Sequence, residues 1–190
     1  MATKKHVSLD LSHLFAVSME AANTVEYGDA TLARIAKAAK IPVARLREVF
    51  VDFTHYLIAI QQRFLDQLRD EVIAVTVQSS PGLARVRGAT LVYLDHCLQH
   101  RGLRGWLLHA RREQPLLAEG LRRQNHSFAL VISTEFHALH WPHPLAAARL
   151  YLAAINEVSR VEHLKGQVIP HLRDAIWDIA RFYTGAVNHA

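Results

Sequence analysis

Apolar residues recur along this chain at intervals of three and four, the spacing of a helix that packs on one side. Leu11, Leu14, Phe15, Ser18, Met19 and Ala22 make the first stripe, and Gly28 is expected to stop that helix at its C-terminus. Thr31 is placed to cap a second helix whose inner face is Leu32, Ile35, Ala36 and Ala39. Pro42 stands where a first helical turn accepts proline, and Leu46, Val49 and Phe50 form a short apolar face after it. A long amphipathic helix is expected from Phe53 to about Gln78, through Tyr56, Leu57, Ile60, Phe64, Leu68, Val72 and Val75. Ser79-Ser80-Pro81-Gly82 breaks it, and the next helix ends at His100-Arg101-Gly102. Further helices are expected over Leu103–Arg112, Leu116–His140, Leu145–Leu164 and His171–Tyr183. Trp141-Pro142-His143-Pro144 is a stiff turn, because each proline fixes its own φ and restrains the residue before it. Alternating β-branched runs and Asn-Gly or Asp-Gly turns are absent. The pattern therefore predicts an all-α fold of nine helices. It divides into a three-helix head, residues 1–52, and a six-helix body, residues 53–190, joined through the long helix that begins near Phe53.

Composition narrows the class. The chain has 190 residues, 51% of them hydrophobic, which is enough for a sizeable core and too apolar for disorder. VIAVTV at 72–77 is among the longest apolar runs, far short of a membrane span. The start, MATKKHVSLD, has charge with no apolar stretch behind it and does not read as a secretory signal, so a cytoplasmic protein is expected. Cys97 is the only cysteine, which excludes an internal disulfide and any cysteine zinc motif. The net charge is +5, and it is unevenly placed. Residues 31–50 carry Arg34, Lys37, Lys40, Arg45 and Arg47 against Glu48, five cations to one acid, a net of +4. That local excess points to a polyanionic partner.

The same twenty residues have the parts of a helix-turn-helix. Two short helices flank a tight turn, and the second presents polar and basic residues outward while its apolar side packs on the first. Ala36 and Ala39 allow close helix approach, Ile41 is expected to seal the turn, and Arg45, Arg47 and Glu48 fall off the apolar face. Over ATLARIAKAAKIPVARLREVFVDFTHYLIAI, preceded by HLFAVSMEAANTVEYG, the chain resembles the TetR family of transcriptional regulators. Ile35, Ala36, Ala39, Ile41, Leu46, Phe50 and Leu57 occupy that family's apolar positions in order. The match is specific over roughly residues 10–60 and architectural over 80–190. It implies a DNA-reading head, with contacts drawn from Thr31, Arg34, Lys37, Lys40, Pro42, Val43, Arg45, Arg47 and Glu48.

Five positions depart from the family pattern. Lys40 stands where glycine is usual at the turn, and a lysine in a left-handed conformation costs about 1 kcal/mol, so a slightly different turn is expected. Pro42 and Val43 stand where a serine cap and a lysine are usual, Arg47 replaces an aromatic, and Phe53 replaces a phosphate-contacting lysine. Arg45 or Arg47 could make a bidentate contact to guanine.

For the body, the resemblance implies dimerisation through the last two helices and a small-molecule pocket. The dimer candidates are Leu145, Ala148, Leu152, Ile155, Ile176, Trp177, Ile179 and Phe182, with plain core as the alternative. The pocket candidates are Phe64, Leu68, Tyr93, Cys97, Trp106, His109, Phe128 and Ile132, aromatic surface with a few polar tips. Each of these also suits ordinary core. The expected partners are thus a double-stranded DNA operator, a small hydrophobic effector and a second copy of the chain, with no membrane and no cofactor. The alternative reading is a ligand-binding or protein-interaction module whose helix-turn-helix has lost specific DNA binding.

Other chemistry finds little support. His96 and His100 share a helix face, and His137, His140 and His143 cluster in sequence, but no HExxH or cysteine pair accompanies them. Cys97 next to His96 does not make a nucleophile and base, because adjacent helical residues point about 100° apart. There is no GxSxG, GxGxxG or P-loop, so no enzyme is expected.

Overall fold

The structure, a computed structural model, describes residues 10–188. Among them are nine α-helices and one 3₁₀ turn: α1 Leu11–Ala21, the 3₁₀ turn Tyr27–Asp29, α2 Leu32–Ala38, α3 Val43–Arg47, α4 Phe53–Thr76, α5 Leu83–Gln99, α6 Arg101–Glu113, α7 Pro115–Ala138, α8 Pro144–Lys165 and α9 Pro170–Asn188. No strand occurs among the described residues. None of their helices is long and apolar enough to cross a membrane.

Two helix boundaries differ from expectation. α1 ends at Ala21, well before Gly28, because the amides of Asn23, Thr24 and Val25 fold back onto the carbonyls of Glu20 and Ala21 and close the last turn early. Gly28 instead sits inside the 3₁₀ turn and does not adopt a left-handed φ. Pro42 does not occupy the first turn of α3. It is the residue before it, with an extended backbone (φ −58°, ψ 130°) that carries the chain out of the preceding turn.

By packing, the chain forms two compact units. The first comprises the residues up to Phe64 together with Gly102–Leu117, and the second Leu65–Arg101 with the residues from Ala118 onward. Packing draws its line inside α4, because the first twelve residues of α4 and nearly all of α6 belong with α1–α3.

The first unit buries Leu14, Phe15, Ile35, Leu46, Tyr56 and Leu57 almost completely. Tyr56 is its polar tie. The hydroxyl meets Ser18 Oγ at 2.5 Å and the Leu14 carbonyl at 3.3 Å, so α4 is bonded to α1 where no water reaches. Burial pushes the phenol up to about 12. Gln61, also buried, donates to the Leu117 carbonyl and accepts from Arg111 Nε.

The second unit centres on Val86, Leu94, Phe136, Trp141, Tyr151 and Ile155. Trp141 stacks on Phe136 at 3.9 Å between centroids and donates its indole N–H to Thr184 Oγ1 at 3.1 Å. Glu135 is buried but fully engaged, accepting from the Gly82 amide and from Arg85. Arg173 grips Glu162 through two nitrogens and Asp95 through a third.

The turn between α2 and α3 is explicit in its hydrogen bonds. Lys40 has φ 57°, its amide bonds the Lys37 carbonyl, and the Ile41 amide reaches back to Ala36 at 2.9 Å. This is a Schellman closure with lysine at the left-handed position. Lys40→Gly removes the Cβ clash there and is expected to raise the unfolding free energy by about 1 kcal/mol, measured by urea denaturation. An unchanged or lower stability contradicts the strain assigned to Lys40.

Candidate nucleic-acid interface

α2 starts because Thr31 Oγ1 accepts the Arg34 amide at 3.2 Å. Its inner face, Leu32, Ile35 and Ala36 with Ala39 after it, is buried, so Arg34, Lys37 and Lys40 are left on the outside. α3 is only five residues long and is held by Leu46, which is wholly buried, and by Phe50 just beyond it. Phe50 packs edge-on to Tyr56 at 5.1 Å, which ties the end of α3 to α4. Val49 is half exposed and does not extend the apolar face as expected, because the chain turns away after Glu48. Ile41 and Val43 are half-buried, while Pro42, Ala44, Arg47 and Glu48 are exposed.

The candidate contacts differ in how free their charges are. Arg45 donates to Glu48 at 2.6 Å, so this cation is partly neutralised within its own helix. Arg34 lies 3.7 Å from Asp29 in a loose, exposed pair. Lys37, Lys40 and Arg47 make no ion pair among the described residues. These three supply the available positive field of the unit's α2–α3 face.

The start of α4 explains the departure at Phe53. Asp52 Oδ1 accepts the His55 amide at 2.7 Å and so caps the helix. Phe53 is half-buried, stacked on Tyr56 and edge-on to Trp106 at 6.3 Å. A residue the resemblance places against phosphate is here part of an aromatic cluster. The cap was missed in the sequence, although an aspartate directly before an amphipathic run is its usual signal.

The pocket candidates fall in both units. In the first, Phe64 and Trp106 are buried, and Trp106 donates to the Val25 carbonyl at 2.9 Å. His109 is exposed and stacks on Tyr27 at 5.6 Å. In the second, Leu68 and Cys97 are buried, Tyr93 donates to Asn156 Oδ1, Ile132 packs on the core and Phe128 is half-buried. Two cavities of the second unit are lined by other residues: one of about 280 Å³ by Trp141, Ala147, Leu150, Tyr151, Ile179 and Tyr183 among others, and one of about 40 Å³ near Arg87 and Trp177.

Of the dimer candidates, Ala148, Leu152, Ile155 and Ile176 are buried in the chain itself, the first, third and fourth in the core cluster of the second unit. They take part in the chain's own packing. Leu145 is half-buried, and Trp177, also half-buried, lies under the Arg87 guanidinium at 5.1 Å. Ile179 and Phe182 are 64% and 82% exposed, and Leu150 is 74% exposed. α8 and α9 each carry two apolar stripes, and periodicity alone does not say which faces inward.

Among the described residues the histidines do not gather into a metal site. Among the described residues no group of three or more His, Cys, Asp or Glu side chains is placed to hold an ion. His96 is buried with Nδ1 2.8 Å from Glu71 Oε2, and the His100 ring stands edge-on to it at 4.6 Å. Burial, then the neighbouring His96, lowers the pKa of His100 below the ordinary imidazole range. Burial works to raise Glu71, but its hydrogen bond from Gln67 and its contact with His96 outweigh that and hold it below the usual carboxylate range. A base whose folded pKa is depressed stabilises the fold above its ordinary pKa and loses that contribution as pH falls; a depressed carboxylate does the same at lower pH. The urea midpoint is therefore expected to fall between pH 7.5 and pH 5.5, and His100→Gln to flatten that fall. A slope unchanged by the substitution contradicts the assignment.

No protein-family model matches the chain, and no curated protein is similar to it in sequence. Solved structures do match in shape. A transcriptional regulator from Rhodococcus sp. Rha1 superposes with a TM-score of 0.74 at 14% identity, covering 94% of this chain and 95% of its own. A protein from Rhodococcus sp. described as a TetR-family transcriptional regulator gives 0.75 at 15% identity, over 89% and 96%. A TetR transcriptional regulator from Legionella pneumophila gives 0.72 at 12% identity, over 93% and 97%. The chain has the nine-helix fold of TetR-family regulators.

Proposed function

We propose that this chain is a DNA-binding transcriptional regulator, not an enzyme, acting in the cytoplasm as a homodimeric repressor whose operator affinity a small hydrophobic effector controls. The observation that carries the reading is the α2–turn–α3 unit. Its apolar side is fully docked through Leu46 and Phe50, and its outer side leaves Lys37, Lys40 and Arg47 without counter-ions among the described residues. The helix-turn-helix division at residue 52 belongs to this proposal, with residues 1–52 as the reading head. The fold shared with described transcriptional regulators supports it.

The physical sequence is simple. Lys37 and Lys40 neutralise phosphates and set the register, while Arg47 reaches a base edge in the major groove. Two copies related by a twofold axis present two such surfaces to successive grooves. An effector that prefers one spacing of the heads shifts the population toward or away from the spacing that fits the DNA. The exposed Leu150, Ile179 and Phe182 support α8 and α9 as the dimer face, since an apolar patch of this kind marks an association surface.

Binding to duplex DNA over a salt series tests the first part. Two phosphate-neutralising cations per head, Lys37 and Lys40, give a log–log slope of about −4 for a dimer. Arg47→Ala is expected to weaken a selected site about tenfold or more and to relax preference at one base pair. Absence of salt-dependent binding by an intact dimer would overturn the regulator reading. It would favour a ligand-binding or protein-interaction module, which the Arg45–Glu48 pair and the Asp52 cap already make the second reading.

Analytical ultracentrifugation tests the dimer. Phe182→Glu places a charge on an exposed site and is expected to yield folded monomer where the parent sediments as a dimer. A parent that is monomeric, or a variant that stays dimeric, contradicts the α9 face.

A further inference from the structure

We propose that the first compact unit holds a second small-molecule site, for an amphipathic organic cation, in the cavity bounded by the end of α1, the 22–30 segment, α2 and Trp106 of α6. The inference goes beyond the proposed function, since Trp106 is the one effector-pocket candidate lining this cavity, and it does not depend on DNA binding.

The cavity exists because of one close approach and several small side chains. At Gly102 a Cβ would lie 2.5 Å from Asn23 Oδ1 and 2.7 Å from the Ala22 carbonyl, so glycine lets the start of α6 press on the end of α1. One turn later Trp106 stands as a fixed wall, its indole N–H bonded to Val25 and Phe53 against its edge. Val17, Ala21, Val25, Ala30, Ile35 and Ala38 do not fill the space in front of it, and about 350 Å³ remains open. Ligand sites begin at roughly 300 Å³, so this volume takes a single-ring compound with a short arm.

Charge selects the sign of the guest. Glu20 and Arg34 both stand at the cavity. Arg34 already has Asp29 as a counter-ion at 3.7 Å, whereas Glu20 makes no ion pair among the described residues. α1 also ends here with no basic residue in its last turn, so the negative end of its dipole is uncompensated. An uncommitted carboxylate, a helix C-terminus and an indole all favour a cation with an apolar body. A guest seated there touches α1, α2 and α6 at once.

The test is titration of the ¹⁵N-labelled full chain with benzyltrimethylammonium, following the Trp106 indole N–H, assigned through Trp106→Phe. The expected result is a saturable shift of that signal, absent with benzenesulfonate. Glu20→Gln, at an exposed position that does not threaten folding, should weaken binding about three- to fivefold. Ala21→Leu should abolish it by filling the space. No saturable shift, an equal response to the anion, or an unchanged affinity in Glu20→Gln overturns the proposal.

Discussion

A five-residue helix has no stability of its own, and the outward face of α3 exists only because its surroundings dictate where it lies. Lys40 is the constraint on which this rests. Its left-handed backbone reverses the chain after α2, the Ile41 amide closes back on Ala36, and the extended Pro42 swings α3 across. Leu46 and Phe50 then fix the rotation of the short helix by burial. Had a glycine occupied position 40 the turn would be less strained, but one of the three cations without counter-ions on this face would be missing. A conformational cost at Lys40 thus goes with an exposed positive charge on this face.

Around that turn, structure and recognition compete for the same positions. Asp52 stabilises α4 by capping it and at the same time adds a negative group next to the α2–α3 unit. Phe53 strengthens the packing of Tyr56 and Trp106 and gives up a polar contact. Glu48 pairs with Arg45 and partly neutralises it. The unit is well made as a scaffold, and its positive field has been narrowed to Lys37, Lys40 and Arg47.

Much of this was legible from spacing alone. The helix count and the buried faces of α2 and α4 followed from apolar periodicity, whereas lysine at position 40 predicts a slightly different turn and Lys40 instead adopts the left-handed conformation. Gly28 misled because a glycine can stop a helix only if the helix reaches it, and side-chain and β-branched competition at Asn23-Thr24-Val25 ended α1 first. Val49 misled because a three-residue face outlived its helix. Which dimer candidates are core was not legible for a different reason: Ile155 and Ile179 are alike in chemistry and spacing, and only the packing of α5, α8 and α9 decides that one is core and the other surface. The cavity beside Trp106 left no mark in the pattern, because it is made of residues too small to fill a space whose walls come from distant parts of the chain.

The central claim is that residues of α2, the Lys40 turn and α3 form a surface that meets DNA. Amide and side-chain chemical-shift mapping of the full chain on addition of a selected duplex measures this directly. The account predicts perturbations concentrated between Thr31 and Glu48, with the Arg47 guanidinium among the largest. Perturbations spread evenly over the surface, or centred on α7 to α9, would contradict it.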